Sequence, residues 1–247
     1  MITVESVALQ YPALTRVPTA IFDAITSWGL AGLNRRILAQ FRQPTGWVGH
    51  LVGGVMTLEH APVTAWALDL LQPGAGEQIL DAGCGSGQAL RAMARRMPFG
   101  RLAGIDYSGT MVAQARRRNR KLTAAGRCQI EQADVACLPF ADATFDKICT
   151  IETLYFWPDP AAAFAELFRV LKPHGRMAAV LEYTRDGNDP EQMALLEQQG
   201  GLRVYSQAQV ERLFREAGFV NVKVSFVPAK KWLYVEGARP TATASAQ

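Results

Sequence analysis

Two periods of apolar residues divide the chain. From position 78 onward, short apolar runs alternate with amphipathic stretches, which is the pattern of βα units on a parallel sheet. The pattern predicts strands over 78–82, 101–106, 128–132, 145–151 and 176–181. Helices fill the gaps. The first ends near Met97, where Pro98 and Gly100 stop it; the second starts from a Ser108 cap and runs to about Ala125, ended by Gly126. Asp159 caps a third, with Pro160 in its first turn, and the turn Lys172-Pro-His-Gly175 ends it. Ser206 caps a last helix that Gly218 terminates.

The final elements differ in kind. Residues 221–226 and 232–236 alternate in the strand manner but are joined only by VPAKK, too short for a parallel crossover, so they predict an antiparallel hairpin at one edge of the sheet. Before position 72 the pattern is helical: Ile21, Ile25, Trp28, Leu30, Leu33, Ile37 and Phe41 fall at helix spacing, followed by a glycine-rich connection after Pro44. Three segments result: an N-terminal helical cap or lid over 1–71, an α/β core over 72–238, and a flexible tail over 239–247. The fold class expected is a doubly wound seven-stranded α/β sheet whose last strand is antiparallel.

With 49% hydrophobic and 19% charged residues in 247, the chain has enough apolar surface for a large domain and no disorder signature. No apolar run approaches bilayer length and the first residues lack a leader pattern, so a soluble, cytoplasmic protein is expected. Cys84, Cys128, Cys137 and Cys149 form no CxxC pair and have no histidine at ligand spacing, so no metal site and no disulfide framework are expected.

Charge sharpens the picture by its placement. The formal net charge is only +4, yet 91–127 carries a balance of +9 and 131–166 a balance of −6. The basic run Arg116 to Lys121 lies where cations suit a helix C-terminus, and no aromatics interleave it for base stacking, so no nucleic-acid partner is expected. Peripheral membrane contact through the N-terminal amphipathic helix stays open, as does the oligomeric state.

The most informative stretch is Ile79-Leu-Asp-Ala-Gly-Cys-Gly-Ser-Gly-Gln88, in which Asp81 precedes three alternating glycines, Gly83, Gly85 and Gly87, at the end of a predicted strand. Such a loop brings its backbone close to a ligand. A dinucleotide fingerprint would need a further glycine where Gln88 or Leu90 stands, and a phosphate loop would need a lysine that is absent. The second strand ends at Asp106, placed to take both hydroxyls of a ribose, and the third leads into Asp134, placed to take an exocyclic amine. Three acids on neighbouring strand ends repel phosphates and attract a cationic nucleoside.

In the order ILDAGCGSG, GIDYSGTM, QADVACLPFADATFD and ELFRVLKPHG, these motifs resemble the class I S-adenosylmethionine-dependent methyltransferases of small molecules, over about 72–238. The resemblance implies a Rossmann-like sheet and S-adenosyl-L-methionine as cofactor. It implies that Asp81 and the backbone of Gly83, Cys84, Gly85 and Gly87 hold the methionine part, and that Asp106 holds the ribose. Tyr107 and Met111 would lie on the adenine, Asp134 and Val135 would read its edge, and Ile151 would complete the cofactor site.

The segment Ile151-Glu-Thr-Leu-Tyr-Phe-Trp-Pro158 follows the fourth strand, where this family lines the gap between cofactor and acceptor. Glu152 and Tyr155 are the catalytic candidates there, with Phe156, Trp157, Glu182 and Tyr183 as further wall residues. Among the histidines, His174 reads as an exposed turn residue, while His50 and His60, with Tyr11, belong to the segment expected to cover the site. The expectation is methyl transfer to oxygen, nitrogen or carbon of a small, partly apolar or aromatic molecule; the alternative is other chemistry on the same fold, such as another group transfer or a cyclisation.

Overall fold

The computed structural model describes residues 60–186 and 188–241. Of the N-terminal cap it includes only His60 and helix α1 (Ala61–Leu71), so the expectations for Tyr11, His50 and the helical pattern before them lie outside the described residues. The elements that follow are β1 (Gln78–Ala82), α2 (Gln88–Arg96), β2 (Arg101–Asp106), α3 (Gly109–Arg118), α4 (Arg120–Ala124), β3 (Cys128–Gln132) and β4 (Phe145–Ile151). After a 3₁₀ turn (Leu154–Phe156) come α5 (Pro160–Val170), β5 (Leu171–Leu181), α6 (Pro190–Gly200), α7 (Gln207–Glu216), β6 (Val220–Val227) and β7 (Trp232–Ala238).

The seven strands form one sheet in the order β3-β2-β1-β4-β5-β7-β6. Strands β1 to β5 pair in parallel, and β7 runs antiparallel to both β5 and β6. The predicted hairpin is therefore present, but its second strand inserts between β5 and β6 and leaves β6 at the edge. Central strands read as continuous apolar runs because both faces are covered. Leu80, Ile148 and Ala179 point into a core under α5 and α7, while their neighbours Ile79, Cys149 and Ala178 point into a second core under α1, α2 and α3. In the first core Phe164 and Phe214 are fully buried, with their rings edge to face at 5.1 Å.

Several boundaries differ from the sequence reading, each for a local reason. The helix expected to run from Ser108 to Ala125 breaks at Asn119. The buried Asn119 amide donates to the carbonyls of Gly87 (2.9 Å) and Ala115 (3.0 Å), a side-chain bond that competes with helix continuation. Strand β5 starts at Leu171 rather than 176, and the KPHG segment bulges where the register with β4 shifts. Helix α6, capped by Asp189, was not foreseen because its sequence mixes polar and apolar residues with little periodicity. Arg239, assigned by sequence to the tail, is anchored: its guanidinium donates to the carbonyls of Phe168 and Arg169 at 2.9 Å and to that of Leu171, and lies 4.8 Å from the centre of the Phe168 ring.

The caps at Ser108, Asp159 and Ser206 stand where the sequence places them, each accepting from a backbone N–H of the first turn. Ser206 and Gln209 complete a reciprocal capping box. Together these features align the carboxyl ends of β1, β2, β4 and β5 along one rim, where a doubly wound sheet presents its binding crevice.

Candidate functional site

The loop after β1 is tied to the neighbouring strand. The N–H groups of Gly83 and Cys84 both donate to the Ile105 carbonyl, at 2.9 and 2.8 Å, and the Gly87 N–H closes the turn on the Cys84 carbonyl. Gly83 has φ +83°, and a Cβ there would stand 2.5 Å from Thr153 Cγ2, so neither the backbone nor the space admits a side chain. Gly85 differs: at φ +49° a Cβ would meet nothing within 4 Å. Open space thus faces the backbone at the middle of the loop.

Asp106 stands at the end of β2 beside that space. Its Oδ2 accepts from the Gly85 N–H (2.9 Å) and its Oδ1 from the Ser108 N–H (2.8 Å). Burial raises its pKa above the ordinary carboxylate value, and these two donors offset part of that rise. Each oxygen retains a lone pair, so the fixed carboxylate can accept two further hydrogen bonds from a diol. Asp81 is almost fully buried; its Oδ2 has no partner, and its Oδ1 faces the Cys149 thiol at 3.8 Å. Burial, reinforced by the Asp106 charge, pushes Asp81 up to about 7. An unpartnered carboxylate in such a place is what a cationic ligand would relieve.

The remaining cofactor candidates fall into two groups. Tyr107 is 63% exposed next to Asp106, with a free ring, and Asp134 is exposed, its Oδ1 accepting from the Ala136 N–H of its own turn. Ile151 is half-buried at the end of β4. By contrast Met111 and Val135 are buried, Val135 in the first core. Cys84 offers only its backbone, because its thiol lies in the second core against Gly104, where an added Cβ would come within 3.0 Å of the sulfur. Asn119, missed by sequence reasoning because it sits inside a basic run, holds the far end of the loop through the Gly87 carbonyl.

At the ends of β4 and β5 the structure brings Glu152, Tyr155, Glu182 and Tyr183 together. The Tyr155 hydroxyl donates to Glu152 Oε1 (3.1 Å) and accepts from the Tyr183 N–H (2.9 Å), while the Glu182 N–H donates to the same Oε1. Glu152 is buried with φ +61°, an uncommon conformation for a residue with a side chain. Burial and the neighbouring Glu182 charge hold its carboxyl well above the usual range, and burial next to Glu152 raises the Tyr155 hydroxyl. His60 Nε2 lies 3.8 Å from Glu182 Oε2. Trp157 packs edge on to Phe164 in the first core, the core that also holds Tyr155. Phe156 stays beside Tyr155 at 6.1 Å, and His174 is exposed in the KPHG bulge.

Residues 80–179 match the family model described as a methyltransferase domain. The 24-methylenesterol C-methyltransferase 2 of Oryza sativa subsp. japonica is 32% identical over 176 residues, which cover 66% of this chain and 48% of that protein. The chain spans about a third to a half of the length of the curated relatives it matches. A geranyl diphosphate methyltransferase superposes with a TM-score of 0.62 at 21% identity, covering 73% of this chain and 77% of that one. The [4+2]-cyclase SpnF gives a TM-score of 0.62 at 20% identity, over 74% and 83% of the two chains; both structures share the fold. Residues 80–179 thus carry a methyltransferase domain, on the Rossmann-like sheet that these solved structures share.

Proposed function

We propose that the protein binds S-adenosyl-L-methionine along the ends of β1, β2 and β3. It transfers the methyl group to oxygen, nitrogen or carbon of a small, partly apolar or aromatic molecule held at the ends of β4 and β5. The observation that carries this reading is the Asp106 carboxylate, fixed by Gly85 and Ser108 N–H groups beside open space at Gly85, with the unpartnered Asp81 oxygen buried behind it. Bound there, the cofactor supplies a methyl group already activated on a sulfonium. The chain's own work is to orient and to exclude water.

In this reading Asp106 accepts from the ribose hydroxyls, and Asp81 with the Gly83, Cys84, Gly85 and Gly87 backbone holds the charged amino-acid end. The exposed Tyr107 ring covers the base, Met111 supports it from below, and Asp134 and the Val135 N–H read its edge, with Ile151 closing the side. Glu152 and Tyr155 face the acceptor, and the buried carboxyl of Glu152 receives or shares a proton when the acceptor must lose one. The sterol C-methyltransferase of rice and the geranyl diphosphate enzyme are named for acceptors with a large apolar part, and the aromatic group Tyr155, Phe156 and Tyr183 suits such a part.

No helix among the described residues is long and apolar enough to cross a membrane. We place the protein in the cytoplasm on its four free cysteines. The likeness in fold to a [4+2]-cyclase supports a second reading, a cofactor-binding enzyme that does not transfer methyl. Incubating the protein with methyl-labelled cofactor and a panel of alkenes, phenols and amines separates the two. Label in the product supports transfer, and a product formed without label establishes the second reading.

A further inference from the structure

Three side chains from separate elements converge beside the cofactor crevice: His60 before α1, Glu152 one residue past β4, and Glu182 one residue past β5. One ligating atom from each lies within 4.8 Å of the others. The separation between His60 Nε2 and Glu182 Oε2, 3.8 Å, is too long for a hydrogen bond. It is a normal distance between two ligands of one cation, since arms of about 2.0–2.2 Å place adjacent ligands about 3 Å apart and opposite ones a little over 4 Å apart.

Glu152 carries the second observation. Its side chain is more than nine-tenths buried, yet both hydrogen bonds it accepts end on Oε1, which leaves Oε2 for another partner. Among the described residues no lysine or arginine pairs with Glu152. The supporting contacts resemble those that aim metal ligands elsewhere: the Tyr155 hydroxyl orients Glu152 and is itself held by the Tyr183 N–H. One imidazole and two carboxylates form a nitrogen and oxygen set suited to manganese, iron or zinc in the divalent state.

We propose that His60, Glu152 and Glu182 bind one divalent first-row cation, whose open positions take an oxygen of the methyl acceptor. Three protein ligands leave such positions free, and a cation there would favour the ionised form of an acceptor hydroxyl or hold an anionic oxygen in place. The role toward the acceptor rests on the methyl-transfer reading; the metal site does not.

The test uses the full chain, dialysed against chelator and titrated with Mn²⁺ while the electron paramagnetic resonance signal of free Mn²⁺ is followed, with Zn²⁺ competition as a second measurement. The expected result is one site, with affinity lowered at least tenfold in Glu182→Gln and in His60→Ala. Both positions are partly exposed and away from the sheet core, and circular dichroism verifies folding. No Mn²⁺ or Zn²⁺ binding at millimolar concentration overturns the proposal, as does binding that neither substitution weakens. Calorimetry with S-adenosylhomocysteine on the same samples tests the cofactor separately: its failure with the metal still bound removes the methyl-transfer reading and leaves the metal site established.

Discussion

Replacing Asp81 by asparagine separates the cost of a buried carboxylate from its use. Folding moves this group from 3.8 to about 7, chiefly through burial. The folded value lies above the unfolded one, so the stability the group contributes is complete below pH 3.8 and lost as pH rises through 7. Relative to a side chain that does not titrate, the native state therefore forfeits about 1.6 kcal/mol at pH 5 and on the order of 4 kcal/mol at pH 8. An asparagine amide in the place of the unpartnered Oδ2 costs roughly 1–3 kcal/mol at either pH, which sets an offset and no slope. Urea unfolding of the cofactor-free chain, wild type and Asp81→Asn, should show their stability difference moving by roughly 2–3 kcal/mol in favour of the variant between pH 5 and pH 8. The same variant should bind S-adenosylhomocysteine about tenfold more weakly, a loss of roughly 1.4 kcal/mol. Parallel pH profiles, with a difference constant to about 0.5 kcal/mol, would refute the assignment of a strained, ionisable Asp81.

Three further substitutions probe the loop and the crevice. Gly85→Ala should cost about 1 kcal/mol of stability, because φ is positive but no atom is struck, yet lose most cofactor affinity; Gly83→Ala should cost more than about 2 kcal/mol through its collision with Thr153. Thermal melts and calorimetry on the pair distinguish the two, and equal Tm values would contradict the geometry. Asn119→Ala should destabilise by about 1 kcal/mol and raise hydrogen exchange at the loop, since the buried Gly87 carbonyl keeps only the longer bond from the Arg91 N–H, at 3.3 Å. Tyr155→Phe should cost about 1–3 kcal/mol in chemical denaturation by orphaning the Tyr183 N–H, and an unchanged midpoint would show that water replaces the hydroxyl.

Much of the parallel sheet was readable because β1 to β4 are bounded by strong local signals: apolar runs, a glycine loop, and capping residues at Ser108 and Asp159. What local pattern misses is decided by distant partners. Asn119 ends a helix because Gly87 stands across from its amide, and β7 lies inside the sheet because one of its edges pairs with β5 and the other with β6. The residues proposed to hold the cofactor could be placed for the same reason as the sheet, since Asp81, Gly83 and Gly85 follow the end of β1 and Asp106 ends the neighbouring β2. The grouping of His60 with Glu152 and Glu182 follows no spacing rule, as each comes from a separate part of the chain and only the parallel pairing of β4 with β5 brings the two acids together.

The central claim is that the ends of β1 and β2 form a cofactor site organised around Asp106. Isothermal titration of the full chain with S-adenosylhomocysteine, wild type against Asp106→Ala, tests it most directly. The account predicts one binding site in the wild type and a loss of at least a hundredfold in the variant, roughly 2.7 kcal/mol, with the fold retained by circular dichroism. Absence of binding by the wild type, or equal affinity in the two proteins, would contradict it.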